Sequence, residues 1–338
     1  MPPYDTNTTS DELVKDYASL IKGKVVLTTG VSPGGLGAAF VLAIAKAQPA
    51  LLILAGRDLA KLEKTAAEIT SSNPTVKTRN LRVDLESLQS VREAAAEVNS
   101  WADVPVIDVI VNNAAVMAVD YALSVDGFER HLASNHLGHF LLTNLVINKV
   151  LASKSPRVVF VSSAGHRFNP FRFDDYNFDG GKSYDKWRGY GQSKTANILT
   201  AISLAKKLGG RGLLAFSLHP GVIMTNLANH LDFSKDFVSA HAVDYAMGNL
   251  GEFHSDINFK SVERGVATHI YAAFDPIYQS YSSYLSDHNG SYLLDCHVGD
   301  PVTETVKPWA ISRIEAEKLW TLSQKLVGEE FDYQLGRK

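Results

Sequence analysis

With 338 residues, 45% of them hydrophobic and 20% charged, the chain is long enough to bury one sizeable core, and one elaborated domain is expected rather than two. Its formal net charge of -3 supplies no basic field of the kind that nucleic acid or an anionic membrane would need, which points to a small-molecule partner. A single cysteine, Cys296, excludes an intrachain disulfide and fits a reducing compartment, so a cytoplasmic location is the default expectation.

Residues 1–10 are polar and lack the apolar run of a secretory signal or membrane anchor; no later stretch approaches the ~20 apolar residues of a spanning helix. Leu13, Val14, Tyr17, Leu20 and Ile21 fall at helical intervals, so 11–22 predicts a short leading helix packed on the domain. Residues 1–21 are read as an N-terminal extension, followed by a single domain over 22–338. From Lys24 onward, short apolar runs alternate with longer amphipathic ones. Strands are expected at 24–29, 51–55, 78–83, 107–111, 157–161 and 213–218, with helices near 35–47, 58–72, 86–100, 126–151 and 189–208. This alternation marks strand, helix, strand units, hence a doubly wound α/β domain on a parallel sheet. Two segments break it, both where substrate loops would sit. Residues 164–188 hold seven aromatics, Phe168, Phe171, Phe173, Tyr176, Phe178, Tyr184 and Trp187; residues 226–258 mix His, Asp, Phe and Met. Residues 311–327 read as a closing helix.

The first strand runs into Thr29-Gly30-Val31-Ser32-Pro33-Gly34-Gly35-Leu36-Gly37 and then into an Ala-rich helix. Such glycines let the backbone approach a diphosphate, whose charge the free amides at the helix start stabilise; a tight strand-to-helix turn is the plainer reading. Gly30, Ser32, Gly34, Gly35, Leu36 and Gly37 are the candidate contacts. The second strand ends in Gly56-Arg57-Asp58, where folds of this kind meet the adenosine ribose. An acid there would accept from a 2′-hydroxyl, whereas Arg57 offers a fork to a 2′-phosphate, which favours NADP(H) over NAD(H). Asp58 is expected to cap the following helix. Further on, Tyr190 and Lys194 are four positions apart on one helical face, so the ammonium can influence the phenol's proton and the phenol can exchange it with an alcohol or carbonyl.

Over roughly residues 22–225 these motifs, taken in order, resemble the short-chain dehydrogenase/reductase family, and the long segment before Tyr190 resembles its retinol-dehydrogenase-like, NADP-preferring members. The resemblance implies a Rossmann-type single domain and transfer of hydride between NADP(H) and a lipophilic carbonyl or alcohol substrate. The glycine turn is one residue longer than the family's usual pattern. Val83-Asp84-Leu85 resembles the segment that touches adenine, which makes Asp84 and Leu85 cofactor contacts. Asn112-Asn113-Ala114-Ala115 resembles the Asn-Asn-Ala-Gly motif and adds Asn113 and Ala114. His219-Pro220-Gly221-Val222-Ile223-Met224-Thr225 resembles the Pro-Gly turn, with Ile223 and Thr225 at the nicotinamide carboxamide.

The same resemblance assigns Asn135, Ser163, Tyr190 and Lys194 as catalytic. Tyr190 would be general acid in reduction, Lys194 would lower its pKa and bind the nicotinamide ribose, Ser163 would donate to the developing oxyanion, and Asn135 would hold a water that relays protons to Lys194. Ser162 competes with Ser163 for the hydroxyl role. Ser163 and Tyr190 lie 27 positions apart, so the aromatic segment separates two residues that must converge. Family members are often dimers or tetramers through the helices near 126–151 and 189–208, while retinol-dehydrogenase-like members vary, so a homo-oligomer is among the implications. His136 and His139 lack a third ligand for a metal, and none is expected. Cys296 beside His297 lacks a positioned acid and reads as a packed thiol. Reduction of an imine or activated alkene, or a non-catalytic cofactor-binding scaffold, are the alternatives.

Overall fold

All six expected strands form: β1 (Val25–Thr29), β2 (Leu51–Gly56), β3 (Lys77–Arg82), β4 (Val109–Asn112), β5 (Arg157–Val161) and β6 (Leu214–His219). The computed structural model describes residues 4–249, 259–276, 288–304 and 306–333. Two short strands extend the sheet, β7 (Tyr292–Leu294) and β8 (His297–Val298); at three and two residues they carry too little alternation to be read from sequence. The strand order is β3-β2-β1-β4-β5-β6-β7-β8, parallel throughout except for the antiparallel β7–β8 pair. Register is set by pairs such as Val25 with Leu51 and Val26 with Val109.

Among the described residues the α-helices are α1 (Ser10–Asp16), α2 (Ala18–Ile21), α3 (Leu36–Ala45), α4 (Leu59–Ser72), α5 (Leu88–Ser100), α6 (Gly138–Leu151), α7 (Lys186–Leu208), α8 (Phe233–Ala246), α9 (Val262–Phe274) and α10 (Arg313–Val327). Consecutive strand residues point to opposite faces, so each central strand feeds two cores. Leu27, Ile53, Ile110 and Val158 join Val91, Phe140, Leu199 and Trp320 on one face. Val26, Leu52, Val111 and Val159 join Leu13, Phe40, Leu62 and Ile270 on the other. Burial on both faces is why these strands read as apolar runs. The leading helix is part of that second core, since Leu13, Val14, Tyr17 and Ile21 are all buried in it and the Tyr17 hydroxyl donates to Asp275 at 3.2 Å.

Two expectations change. The helix foreseen from 126 begins only at 130, because Leu123 bridges Glu129 across a turn at Gly127 (φ +82°), and its next six residues, Leu132–Leu137, are π-helical. Within 226–258, α8 forms behind an Asp232 cap, and residues 250–258 lie outside the described residues. α10 packs across α6, α7 and the π-helical turn before α6. Ser323 Oγ is 2.7 Å from His136 Nε2, Ser203 donates to the Ala316 carbonyl at 2.9 Å, and Trp320 packs edge-on to Phe140 at 4.9 Å.

Candidate active site

Because β1 sends its chain to β2 on one side and pairs with β4 on the other, the sheet opens a crevice at the carboxyl ends of its central strands. A cavity of about 760 Å3 lies there. Gly30, Ser32, Gly35, Leu36, Arg57, Asp84, Leu85, Asn113, Ala114, Ser163, Tyr190, Lys194, Ile223 and Thr225 all line it. Residues spread over 195 positions of sequence are thereby gathered on one wall.

Three of the expected site residues do not line the cavity. Gly37 is packed inside the turn, where an added Cβ would meet Asn113 Nδ2 at 2.5 Å and the Gly30 carbonyl oxygen at 2.6 Å. Gly34 faces Asn226, whose side chain donates to the Pro33 carbonyl at 2.8 Å. Asn135 is wholly buried: its Oδ1 accepts from Val116 N at 2.8 Å, while Nδ2 donates to the Val116 carbonyl and to Ser193 Oγ, both at 2.9 Å.

The cofactor end fits a dinucleotide on its donor chemistry. Gly30 is left-handed (φ +72°), and a Cβ on it would lie 2.7 Å from Ala114 Cα, so only glycine lets the turn close on β4. α3 starts at Gly35 with no side-chain cap, which leaves its first amides available to an anion. Asp58 does cap α4, accepting from Lys61 N at 3.3 Å. At the adenosine end Arg57 is joined by Lys61 and Lys64 on the cavity wall, two lysines three apart on α4 that a helical stripe following Arg57 could have revealed. Glu86, which no strand-end motif flags, also lines this end; it lies 3.6 Å from Arg57 and 3.0 Å from Arg130 Nε.

At the catalytic end, the two adjacent serines have separate tasks. Both line the cavity, but Ser162 Oγ donates to the Lys194 carbonyl at 2.8 Å and so is spent on holding α7, whereas Ser163 Oγ accepts from Gly165 N at 3.0 Å and is hydrogen-bonded to Tyr190. Lys194 Nζ donates to the Val161 carbonyl at 2.8 Å and lies 5.6 Å from the Tyr190 ring centre. Burial pushes the Tyr190 phenol up to about 12, with a hydrogen bond to Ser163 acting the other way. Burial also pushes the Lys194 ammonium down to about 7. Desolvation is the largest influence on both groups.

Of the seven aromatics in 164–188, only Phe168 and Trp187 line the cavity, where Met117, Val119 and His230 join them. Phe171 and Phe173 pack on the α6 side of the sheet, Tyr176 against Phe128, and Phe178 edge-on to Tyr184. His136 and His139 turn to different partners, Ser323 and Thr29. Cys296 is buried, and burial pushes its thiol up to about 12.

The sequence model of one family, described as short chain dehydrogenase, matches residues 24–235. The short-chain dehydrogenase/reductase prx1 of Penicillium roqueforti is 36% identical over 340 residues, spanning 96% of this chain and 92% of that protein. Retinol dehydrogenase 13 of Mus musculus is 35% identical over 324 residues, spanning 94% and 90%. Among solved structures, an uncharacterized protein from Mycobacterium paratuberculosis aligns with a TM-score of 0.66 at 30% identity, over 93% of this chain and 98% of that one.

Proposed function

The chain belongs to the short-chain dehydrogenase family, and on that premise we propose that it is an NADP(H)-dependent oxidoreductase interconverting a lipophilic alcohol and its carbonyl compound. Members of this family work with a nicotinamide cofactor, which when bound supplies or takes up the hydride. The observation that carries the reading is that Ser163, Tyr190 and Lys194 share one cavity with the glycine turn and with Phe168 and Trp187.

In the reductive direction Tyr190, protonated at neutral pH, donates its proton to the substrate oxygen. Ser163 offers that oxygen a hydrogen bond as negative charge develops. Lys194, anchored on the Val161 carbonyl, would hold the ribose and, while protonated, stabilise the phenolate left on Tyr190. Asn135 acts from behind the wall, fixing Val116 and, through Ser193, the backbone at Tyr190. For the cofactor, Arg57, Lys61 and Lys64 favour a 2′-phosphate, while the carboxylate of Glu86 is shared with Arg130.

Phe168, Trp187 and Met117 supply the apolar walls usual for small-molecule sites, and the relative named as a retinol dehydrogenase suggests a substrate of lipophilic character. The test is kcat/KM along a homologous series of ketones and aldehydes with NADPH, followed by absorbance loss. The expected trend rises with chain length, at up to about 0.8 kcal/mol per buried methylene. A flat or falling trend, or better activity on polyols, overturns the substrate class; no turnover with any member of the panel returns the scaffold reading.

A further inference from the structure

A continuous path of buried hydrogen bonds joins the glycine turn to the helix that carries Tyr190, and His139 is its middle member. The His139 ring is wholly buried between β1 and the π-helical turn. Its Nε2 lies 2.8 Å from Thr29 Oγ1 and its Nδ1 lies 3.1 Å from the Asn135 carbonyl oxygen. A carbonyl can only accept, so Nδ1 carries the proton, and in the neutral ring Nε2 takes the proton of the Thr29 hydroxyl. Burial keeps the ring neutral by pushing it down to about 4. The lone pairs of Thr29 Oγ1 are then free to receive Asn113 N at 2.9 Å and Ala114 N at 3.0 Å, the two amides that shape the turn opposite Gly30.

On the other side, Asn135 Nδ2 donates to Ser193 Oγ at 2.9 Å, and Ser193 Oγ donates to the Tyr190 carbonyl at 2.7 Å. One tautomer satisfies every donor and acceptor along this path. Thr29, Asn113 and Ala114 line the cavity, and His139 does not. A phenylalanine would fill the same volume without desolvating two ring nitrogens, so it is the pair of hydrogen bonds that distinguishes histidine here.

We propose that His139 is a positioning residue that couples the cofactor-binding turn to the proton-transfer site, holding Thr29 on one strand and Asn135 on the catalytic side in a single register. The proposal rests on the reading that this cavity takes NADP(H), and it adds to that reading a residue that does not line the cavity.

The experiment compares His139→Phe, His139→Gln and Thr29→Val by NADPH fluorescence titration, turnover and thermal unfolding of the protein alone. His139→Phe is expected to weaken NADPH binding about tenfold, the effect of about one buried hydrogen bond, and to lower kcat by a similar factor. His139→Gln, which keeps a donor and an acceptor, restores both to within about threefold. Thr29→Val gives at least that loss of affinity, since it also removes the acceptor of Asn113 N and Ala114 N, and adding His139→Phe to it costs little more, because the link to His139 is already gone. A purely structural histidine would lower the unfolding temperature in His139→Phe and His139→Gln alike and leave NADPH affinity unchanged, which overturns the coupling. If His139→Phe does not fold, Thr29→Val with unchanged NADPH affinity overturns it equally. A parent protein that binds no NADPH overturns the functional reading itself, a result distinct from unchanged affinity in the variants.

Discussion

The backbone of Gly165 passes so close to Tyr190 that a Cβ built on it would lie 2.8 Å from ring carbon Cε1 and 3.3 Å from Ser163 Oγ. The missing side chain therefore sets how near the serine hydroxyl can come to the phenol. Gly165→Ala should push the Tyr190 ring aside and lower single-turnover hydride transfer about ten- to a hundredfold, with NADPH affinity near the parent value. Parent-like transfer rates would mean that the loop moves at little cost and that the close approach is packing alone.

Tyr190→Phe removes only the hydroxyl from a ring that is 5% exposed. Turnover should fall by roughly two to four orders of magnitude while NADPH binding is retained, because the proton donor is lost and the cofactor cradle is not. Stopped-flow measurement of hydride transfer decides the matter, and near-parent rates would remove Tyr190 from the chemistry.

NADPH should be preferred over NADH by at least about tenfold, and Arg57→Ala should shrink that ratio chiefly by weakening NADPH. Lys61→Ala and Lys64→Ala should give smaller losses in the same direction. Glu86→Gln frees Arg57 from its neighbour at 3.6 Å and should raise the preference. The five ratios of kcat/KM, the parent's and those of the four variants, test this together; equal use of both cofactors by the parent refutes it.

Lys194→Met should abolish most activity and yet stabilise the fold. The ammonium is charged in both folded and unfolded chains below pH 7, where the desolvation cost is carried in full. Between about 7 and its ordinary value of 10.5 the unfolded chain holds a proton that the folded chain does not, so the parent gains stability as pH rises. Thermal unfolding at pH 6 should therefore favour the methionine variant by at least about 3 °C, the difference narrowing toward pH 10. A variant less stable than the parent at pH 6 would show that the hydrogen bond to Val161 outweighs the burial.

Much of the site was legible in the chain because local signals carry it. The glycine turn, the Asn113-Ala114 pair, Ser163, Tyr190, Lys194 and the Pro-Gly turn each sit at the end of a strand or on a helix whose own residues fix its type. Asn135 was found by its motif, yet its side chain is wholly committed to Val116 and Ser193 rather than to the cavity. Glu86 and His139 had no such signal, since an acid after β3 and a histidine on an apolar helix look ordinary until their partners from other elements are in place.

By itself the sequence determined the six principal strands and the doubly wound alternation, since an apolar run buried on both faces and an amphipathic stripe are written in residue spacing. The tertiary structure alone decided which surfaces meet. It sent two of the seven loop aromatics to the cavity and kept the others for packing, and it brought Ser163 beside Tyr190 across 27 positions. It also laid α10 over the faces of α6 and α7. Periodicity reports that a face must be covered, but the free energy of burial is non-directional, so which segment covers it depends on shape and on hydrogen bonds made between distant parts of the chain.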